Sequence, residues 1–253
     1  MKFDLGLVSV SFRRLDAEKI IEIARSAALS SVEWGGDLHV PHGSVGIARS
    51  VGELTRSAGL RVAEYGSYYR IGVSSPDEIF VVAASAMALG TDTVRVWAYN
   101  KGSENISESE YAAAVDDARR ICALYPQLTF CTECHNNTIT DDHRANIRFI
   151  KDVDMPNLAA FWQPNQFKSY EYNLESAVQL APYVRAAHVF AWEGNERFPL
   201  SHHRRRWMAY IDALVKNADG GELSLMLEFM PDDSPDMLAE EANELRDIVD
   251  SLK

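Results

Sequence analysis

Short runs of apolar and β-branched residues recur along this 253-residue chain at a nearly constant interval, each followed by a stretch with helical spacing. These runs predict eight strands, at residues 3–8, 31–34, 61–65, 93–97, 128–133, 158–163, 186–190 and 224–229. Successive strands begin about 32 residues apart, which is the length of one strand, one helix and two connecting loops. The repeat therefore predicts that strands and helices alternate along the whole chain.

The segments between the predicted strands carry helix signals. Asp16 precedes an amphipathic stretch as an acidic cap. Residues 107–125 form a second such stretch, in which Ser107 and Glu110 have capping-box spacing and Pro126 follows as a stop. Alternating elements favour a parallel sheet, and eight repeats in about 250 residues match a closed barrel better than an open sheet. We expect an α/β fold, a (β/α)8 TIM barrel that forms a single domain over residues 1–253.

Composition excludes several classes of protein. Hydrophobic residues make up 47% of the chain and charged residues 25%, which are globular values. The net charge of −12 repels phosphate backbones and anionic lipid headgroups, so we expect no nucleic-acid or membrane partner. The sequence lacks an apolar run of about 20 residues and a secretory signal. Three cysteines fit a reducing compartment, and we expect a cytoplasmic protein.

Polar residues stand at the carboxyl ends of the last four predicted strands, where barrels hold their active sites. The period of two along a strand puts Glu133 on the inward face at the end of the fifth strand. Gln163 precedes a proline at the end of the sixth strand, and His188 and Glu228 have equivalent positions on the seventh and eighth. Two carboxylates, an imidazole and an amide oxygen suit a divalent metal ion: Mn²⁺, Mg²⁺, Co²⁺ or Zn²⁺.

Each of these residues has a structural alternative when taken alone. A strand glutamate commonly pairs with a lysine or arginine, and a strand histidine commonly makes a hydrogen bond in the core. The four together are harder to explain in that way, because two converging carboxylates without a cation are costly to bury.

Five segments resemble the xylose isomerase-like TIM barrels, a family that includes sugar phosphate isomerases and epimerases. They are VEWGGDLHVPHG, TECHNNTITDD, FWQPN, HVFAW and LMLEF, which follow or end strands two and five to eight and span nearly the whole chain. In that family Glu, Asp, His and Glu hold the metal, which implies Glu133, Gln163, His188 and Glu228 as ligands here. Gln163 departs from the pattern, because an amide replaces a carboxylate.

The resemblance implies a metal-dependent isomerase or epimerase that moves a proton between adjacent carbons of a monosaccharide or related polyol through an enediolate. Glu133 and Glu228 are then the two catalytic carboxylates that act on opposite sides of the enediolate, with neither side assigned to either residue. A lyase is the alternative on the same scaffold, since the enediolate can expel a β-substituent, as in a dehydratase or a glycoside-cleaving elimination. A non-catalytic sugar-binding subunit is a third possibility, with Gln163 marking a decayed metal site. Endonuclease-like DNA repair enzymes also resemble this family, but the extra ligands are not evident and the negative charge opposes DNA.

Other residues near the predicted strand ends are candidates for contacts with a small sugar or sugar-like substrate. Indoles can stack on the apolar face of a sugar, although wide rings also simply fill barrels. The candidates are Glu33, Trp34, His39, Arg95, Trp97, His135, Asn165, Trp192 and Arg197. The resemblance also makes a homo-oligomer an expectation.

Three short motifs have weaker interpretations. His39 and His42 have a spacing that suits a metal, but they are equally typical of a surface or substrate-binding loop. Cys131 and Cys134 lie on a predicted strand, where their thiols face opposite ways, so we expect packing residues. The segment SHHRRRW at 201–207 is the one concentration of positive charge, and it is typical either of a solvated helix start or of a site for an anionic group.

Overall fold

Eight parallel strands close into a barrel in the computed structural model, which describes residues 2–218 and 220–252. The described residues form ten strands in all: β1 (Lys2–Val8), β2 (Ser31–Gly35), β3 (Arg61–Ile71), β4 (Thr93–Ala98), β5 (Thr129–Glu133), β6 (Leu158–Trp162), β7 (Val184–Val189), β8 (Ala191–Glu193), β9 (Glu196–Phe198) and β10 (Glu222–Leu227). β8 and β9 form a separate hairpin. The other eight pair in chain order, and β1 closes the ring by pairing with both β2 and β10.

A helix follows each barrel strand and covers the outside of the barrel. These helices are α1 (Ala17–Ser26), α2 (Val45–Ser57), α3 (Glu78–Leu89), α4 (Glu108–Leu124), α5 (His143–Val153), α6 (Tyr170–Leu180), α7 (Arg204–Asn217) and α8 (Leu238–Asp250). The predicted caps are confirmed: the Asp16 side chain accepts from the Lys19 backbone, and Ser107 with Glu110 forms a capping box on α4. The prediction of a (β/α)8 barrel is therefore confirmed.

Two features of the strands differ from expectation. The third strand continues to Ile71, six residues beyond its predicted end at Tyr65, because the aromatic run that follows keeps the strand alternation and buries Tyr69. The β8–β9 hairpin was not predicted. Its turn is Gly194 and Asn195, a pair that favours tight hairpin turns, and Gly194 has a positive φ of 59°.

Strand alternation divides the buried side chains into two cores. The larger core lies between strands and helices. A smaller cluster fills the barrel interior, and it consists of Val8, Val10, Ala63, Cys131, Ala159, Phe161, Ala186 and Met226. Because side chains two apart on a strand share a face, Glu133 and His188 point inward one layer nearer the carboxyl ends than Cys131 and Ala186. Glu228 lies one residue beyond the end of β10, where it continues the alternation from Met226. The barrel register thus brings their side chains together.

None of the helices in the described residues is both long enough and apolar enough to cross a lipid bilayer.

A buried carboxyl group in α8 generates a prediction about stability. Glu241 is 4% exposed, and both its oxygens accept the Leu200 backbone N–H, at 3.0 and 3.1 Å. Burial raises the pKa of Glu241 to about 7. The unfolded value is about 4.3, so the folded chain holds this proton more tightly. This contribution to the free energy of unfolding is complete below pH ~4.3 and is lost as the pH rises through 7.

Glutamine stays neutral at every pH. We therefore expect the free energy of unfolding of Glu241→Gln, relative to that of the parent protein, to increase as the pH rises from 5 to 8. Urea unfolding at both pH values measures this difference. Glu53→Gln, which changes an exposed glutamate on α2 far along the chain from Glu241, serves as the control. An equal difference between Glu241→Gln and the parent at both pH values would contradict the prediction.

Candidate active site

A cavity of about 260 Å³ opens at the carboxyl ends of the barrel strands. Its lining includes Glu133, Gln163 and Glu228, together with aromatic and amide side chains. Two larger depressions, of about 660 and 750 Å³, lie at the opposite end, against the first residues of strands such as β3 and β10. We assign the site to the smaller cavity, because that is where ionisable groups from several strands converge.

The His188 imidazole stands at the centre of this convergence. Its Nδ1 lies 2.9 Å from Gln163 Oε1, 3.5 Å from Glu228 Oε2 and 3.6 Å from Glu133 Oε1. One proton on Nδ1 can satisfy only one of these three oxygens, whereas a divalent cation accepts a nitrogen and several oxygen ligands at once. The donor set therefore fits a metal ion of the oxygen- and imidazole-binding class. The ligand atoms of Glu133, His188 and Glu228 do not all lie within 4.8 Å of one another, so the two carboxylates would have to move closer to share one ion.

The charges around His188 support the same fit. Glu33, Glu133 and Glu228 bring three carboxylates together, while Arg95 supplies one guanidinium. Glu64, buried nearby, does not add to the charge at neutral pH, because burial and then Glu33 raise its pKa to about 8. Burial lowers the pKa of His188, but the charges of Glu228 and Glu33 outweigh it and raise that pKa well above its usual value. A proton on His188 thus offsets part of the negative charge that a divalent cation would otherwise balance.

Gln163 presents its oxygen to the cluster. Its Nε2 donates to the Cys134 carbonyl oxygen at 2.9 Å, and this contact fixes the orientation of the amide because only the nitrogen can donate. The oxygen must then face His188. The amide at this position thus remains able to act as a metal ligand, without the charge of a carboxylate.

Glu33 lies beneath the cluster and holds two of its members. Its Oε2 is 2.9 Å from His188 Nε2, and its Oε1 accepts from Arg95 Nε at 2.8 Å. Glu33 is completely buried and Arg95 is 3% exposed. An imidazole whose second nitrogen donates to a carboxylate is fixed in orientation and is a more basic metal ligand. Glu33 thus has the geometry of a positioning residue.

The two catalytic candidates have different surroundings. Glu133 Oε2 accepts from both Arg95 and the Trp97 indole N–H. Burial alone would raise the pKa of Glu133, but the charge of Arg95 and the contact with His188 outweigh it and hold the pKa below its usual range.

Among the residues that the structure describes, none donates a hydrogen bond to the Glu228 carboxylate, and its ion-pair contact is His188. Burial raises the pKa of Glu228 to about 7, against the opposing charge of His188. Glu133 is thus held as an anion, whereas Glu228 can exchange a proton.

The predicted substrate contacts divide into two groups. Those that line the cavity are Arg95, Trp97, His135, Asn165 and Trp192. His135 stacks on Trp97, with ring centroids 4.8 Å apart. The others lie outside the cavity lining: Glu33 under His188, Trp34 completely buried, His39 against Ser9 and the Leu15 carbonyl, and Arg197 behind Trp192.

The β8–β9 hairpin supplies one wall of the cavity. Trp192 donates its indole N–H to the Phe229 carbonyl oxygen at 3.3 Å. The guanidinium of Arg197 lies over the Trp192 ring at 4.7 Å and pairs with Asp233. Gly194 N–H donates to the backbone of the loop after β6. The hairpin therefore ties together the loops that follow β6 and β10.

Sequence reasoning did not identify several lining residues. They are Val10, Tyr68, Cys134, Asn136, Pro164, Gln166, Phe190 and Phe229. Tyr68 lies in the part of β3 beyond the predicted strand end, and its ring meets Trp97 edge-on at 5.6 Å. The continued strand alternation in SYYR is the signal that identifies it.

The weaker motifs have separate outcomes. His39 and His42 have different partners, since His42 pairs with Glu78 while His39 bonds to Ser9. Cys131 packs inside the barrel, whereas Cys134 faces α5 and accepts from Asn146, so the two thiols face opposite ways as expected.

Comparisons with known proteins identify one curated relative and many similar structures. No protein-family model matches the chain. A 3-dehydroshikimate dehydratase from Bacillus anthracis is 25% identical over 169 residues, which cover 62% of this chain and 60% of that protein. The matched region thus spans less than two thirds of the relative's length.

Solved structures share the fold over nearly the whole chain. The probable 3-DHS dehydratase AsbF from Bacillus anthracis, involved in petrobactin synthesis, has a TM-score of 0.77 at 21% identity and covers 97% of this chain and 99% of its own. A xylose isomerase-like TIM barrel protein from Mycobacterium smegmatis in complex with magnesium has a TM-score of 0.70 at 14% identity, covering 99% and 98%. An L-ribulose 3-epimerase has a TM-score of 0.72 at 13% identity, covering 99% and 97%. The structural neighbours are therefore xylose isomerase-like TIM barrels.

The position of Glu33 predicts an effect on metal binding. We expect Glu33→Gln to lower the affinity for Mn²⁺ or Co²⁺ by about 10- to 100-fold, because His188 and Arg95 lose their shared carboxylate. Competition with a chromophoric chelator measures the affinity. Glu241→Gln changes a buried glutamate outside the cavity and is the control. Equal metal affinity in Glu33→Gln and the parent would contradict a positioning role.

Gly66 has no side chain, and the space beside it is occupied by the buried ion pair of Glu33 and Arg95. A Cβ at this position would lie 2.4 Å from Glu33 Oε1 and 2.7 Å from Arg95 Nη2. Both side chains are enclosed, so we expect Gly66→Ala to cost about 1–3 kcal/mol of unfolding free energy and to weaken metal binding. Urea unfolding and the chelator titration test this. Gly46→Ala, where a Cβ meets nothing within 4 Å, is the control, and equal values for both variants would contradict the prediction.

Proposed function

We propose that this protein is a metal-dependent lyase that removes water from a hydroxylated ketone, through an enolate formed by loss of the α-proton. The observation that carries the proposal is the asymmetry between Glu133 and Glu228. Arg95 and Trp97 occupy one oxygen of Glu133, while the carboxylate of Glu228 receives no hydrogen bond from the described residues. Such a site has one carboxylate, Glu228, that is free to accept a proton from a substrate.

One acceptor is sufficient for elimination. Glu228 takes the α-proton, and the C–H electron pair moves onto the carbonyl oxygen as the enolate forms. The carbonyl then re-forms, a carbon–carbon double bond forms between the α- and β-carbons, and the bond to the β-hydroxyl breaks. The departing hydroxide takes a proton and leaves as water; the proton held on Glu228 is available for this step.

A divalent ion held by Glu133, Gln163, His188 and Glu228 would supply polarisation of the carbonyl and stabilisation of the negative oxygen. The remaining work belongs to the chain itself. Arg95 keeps Glu133 ionised, Glu33 orients His188, and the aromatic walls exclude water around the reacting carbons.

The cavity suits a molecule of one hydroxylated ring. Its volume of about 260 Å³ accommodates a small cyclic compound, and the Trp192 and Tyr68 rings offer apolar surface for contact with it. The Trp97 ring is already covered by His135 and by the Arg70 guanidinium. Asn136, Asn165 and Gln166 supply donors and acceptors for hydroxyl groups. The dehydratase relative supports elimination, and the epimerase neighbour supports proton transfer beside a carbonyl.

Isomerisation is the second candidate. Epimerisation with acids on both faces requires Glu133 to carry a proton, which its contacts with Arg95 and Trp97 oppose. Transfer of a proton between adjacent carbons on one face needs only Glu228, so the same asymmetry is compatible with an aldose–ketose isomerase.

Assays of the metal-loaded protein test the proposal. The protein is incubated in D₂O with 3-dehydroshikimate and with cyclic and linear ketoses. Dehydration creates a conjugated product that absorbs ultraviolet light. Isomerisation gives no such product and is detected as deuterium bound to carbon. We expect a conjugated product, and a loss of about 10²- to 10⁴-fold in kcat in Glu228→Gln.

Glu241→Gln is the matched control and is expected to retain activity. Deuterium incorporation without loss of water would overturn the lyase assignment in favour of isomerisation. Full activity in Glu228→Gln would exclude Glu228 as the base.

A further inference from the structure

A second cavity, of about 270 Å³, adjoins the catalytic cavity. The two share five lining residues, which are Pro164, Asn165, Gln166, Phe190 and Trp192. The second cavity lies between the first turns of α6 and α7, against Tyr170 and Tyr210. The two cavities therefore lie side by side along the Trp192 wall.

The catalytic cavity offers little to an anionic group. Of the described residues that line it, Arg95 is the one lysine or arginine. Its guanidinium already binds Glu33 and Glu133, and both contacts are buried. Glu133 and Glu228 add negative charge. The protein groups of this cavity would thus repel a phosphate or carboxylate, and only a bound cation could attract one.

The second cavity, in contrast, is lined by positively charged side chains. Lys168 and Arg206 line it, and Ser169, the N-cap of α6, lies beside Lys168. The backbone N–H groups of the first turns of two helices add a weaker positive potential to these charged side chains. Arg206 belongs to the basic segment at 201–207, which the catalytic cavity leaves unused.

A carboxylate of the chain itself already binds Arg206. Glu193 Oε1 lies 3.1 Å from Arg206 Nη1 and 3.1 Å from His203 Nε2. Glu193 is 45% exposed, so solvent competes for this ion pair and a stronger anion can replace it. The contact shows how a carboxylate oxygen fits against Arg206.

The same residues also have a geometry that could suit a metal. Ligand atoms of Glu193, His202 and His203 lie within 4.8 Å of one another. However, Arg206 Nη1 is 2.9 Å from His203 Nε2, so a guanidinium occupies the nitrogen that a metal would need. The positive charge at this distance favours an anion over a cation.

We propose that the second cavity is a subsite for an anionic group, a phosphate or a carboxylate, which binds Arg206 and Lys168 and displaces Glu193. In its full form the inference rests on the proposed function: the anion belongs to the substrate whose ketone reacts beside Glu228. The substrate class is then an anionic hydroxy ketone that spans both cavities.

Binding of inorganic phosphate tests the subsite without any assay of activity. In titration calorimetry we expect Arg206→Gln to weaken phosphate binding about tenfold or more, because a charge-assisted contact is lost. Glu193→Gln is expected to strengthen binding, because it removes the competing carboxylate. Arg205→Gln changes an exposed arginine that does not line the cavity, and it is the matched control.

The opposite signs expected for Arg206→Gln and Glu193→Gln distinguish a built subsite from attraction by surface charge. Phosphate binding that is unchanged in Arg206→Gln, or equally weakened in Arg205→Gln, would overturn the proposal, since phosphate would then bind at the catalytic metal or through general surface charge. Tighter binding of Zn²⁺ than of phosphate, weakened by Glu193→Gln, would also overturn it in favour of a metal site.

Kinetics separate a substrate group from a free anion. If the anion is part of the substrate, Arg206→Gln raises KM for an anionic ketone more than it lowers kcat, and a neutral analogue shows no such rise. An equal change for the anionic and neutral compounds would contradict the substrate assignment. Phosphate binding with the expected variant effects, but no dehydration of any ketone, would leave the subsite supported while the proposed function fails.

Discussion

The arrangement of the site depends on one buried guanidinium. Arg95 on β4 bridges Glu33 on β2 and Glu133 on β5, and all three groups are almost completely removed from water. Burying three charges is costly unless each has a partner with good geometry. Here each carboxylate has a second partner, because Glu33 also holds His188 and Glu133 also accepts from Trp97. The result is a connected set in which no member can move alone.

This set explains why two chemically identical residues differ in behaviour. Glu133 lies inside the hydrogen-bonded set and remains ionised, whereas Glu228 lies at its edge, where its ion-pair contact among the described residues is His188. A carboxyl group needs a pKa near the working pH to transfer protons efficiently. The fold produces this difference through neighbours on other strands, and the local sequences around the two glutamates give no sign of it.

The sequence was sufficient to predict the barrel and the convergence of four strand ends. The 32-residue repeat fixes the topology, and the period of two assigns Glu133, His188 and Glu228 to the interior. The contacts of Glu33 could not be predicted, since they depend on how β2, β4 and β7 stagger around the ring, across separations of 62 and 155 residues. Loop residues such as His39 were equally inaccessible, because their directions follow from turns rather than from a periodic pattern.

The hairpin formed by β8 and β9 belongs to a different part of the architecture from the residues around His188. The candidate ligands are fixed by barrel register, so a change of one residue in strand length would misalign them. The hairpin lies outside that register and is attached through a few side-chain and backbone contacts at its edge. Insertions or substitutions there can reshape the wall beside Trp192 while the reacting groups stay in place. Under the proposed function, reaction chemistry and molecular selectivity are thus encoded in separate segments, and a lineage of such barrels can acquire new substrates without rebuilding its catalytic groups.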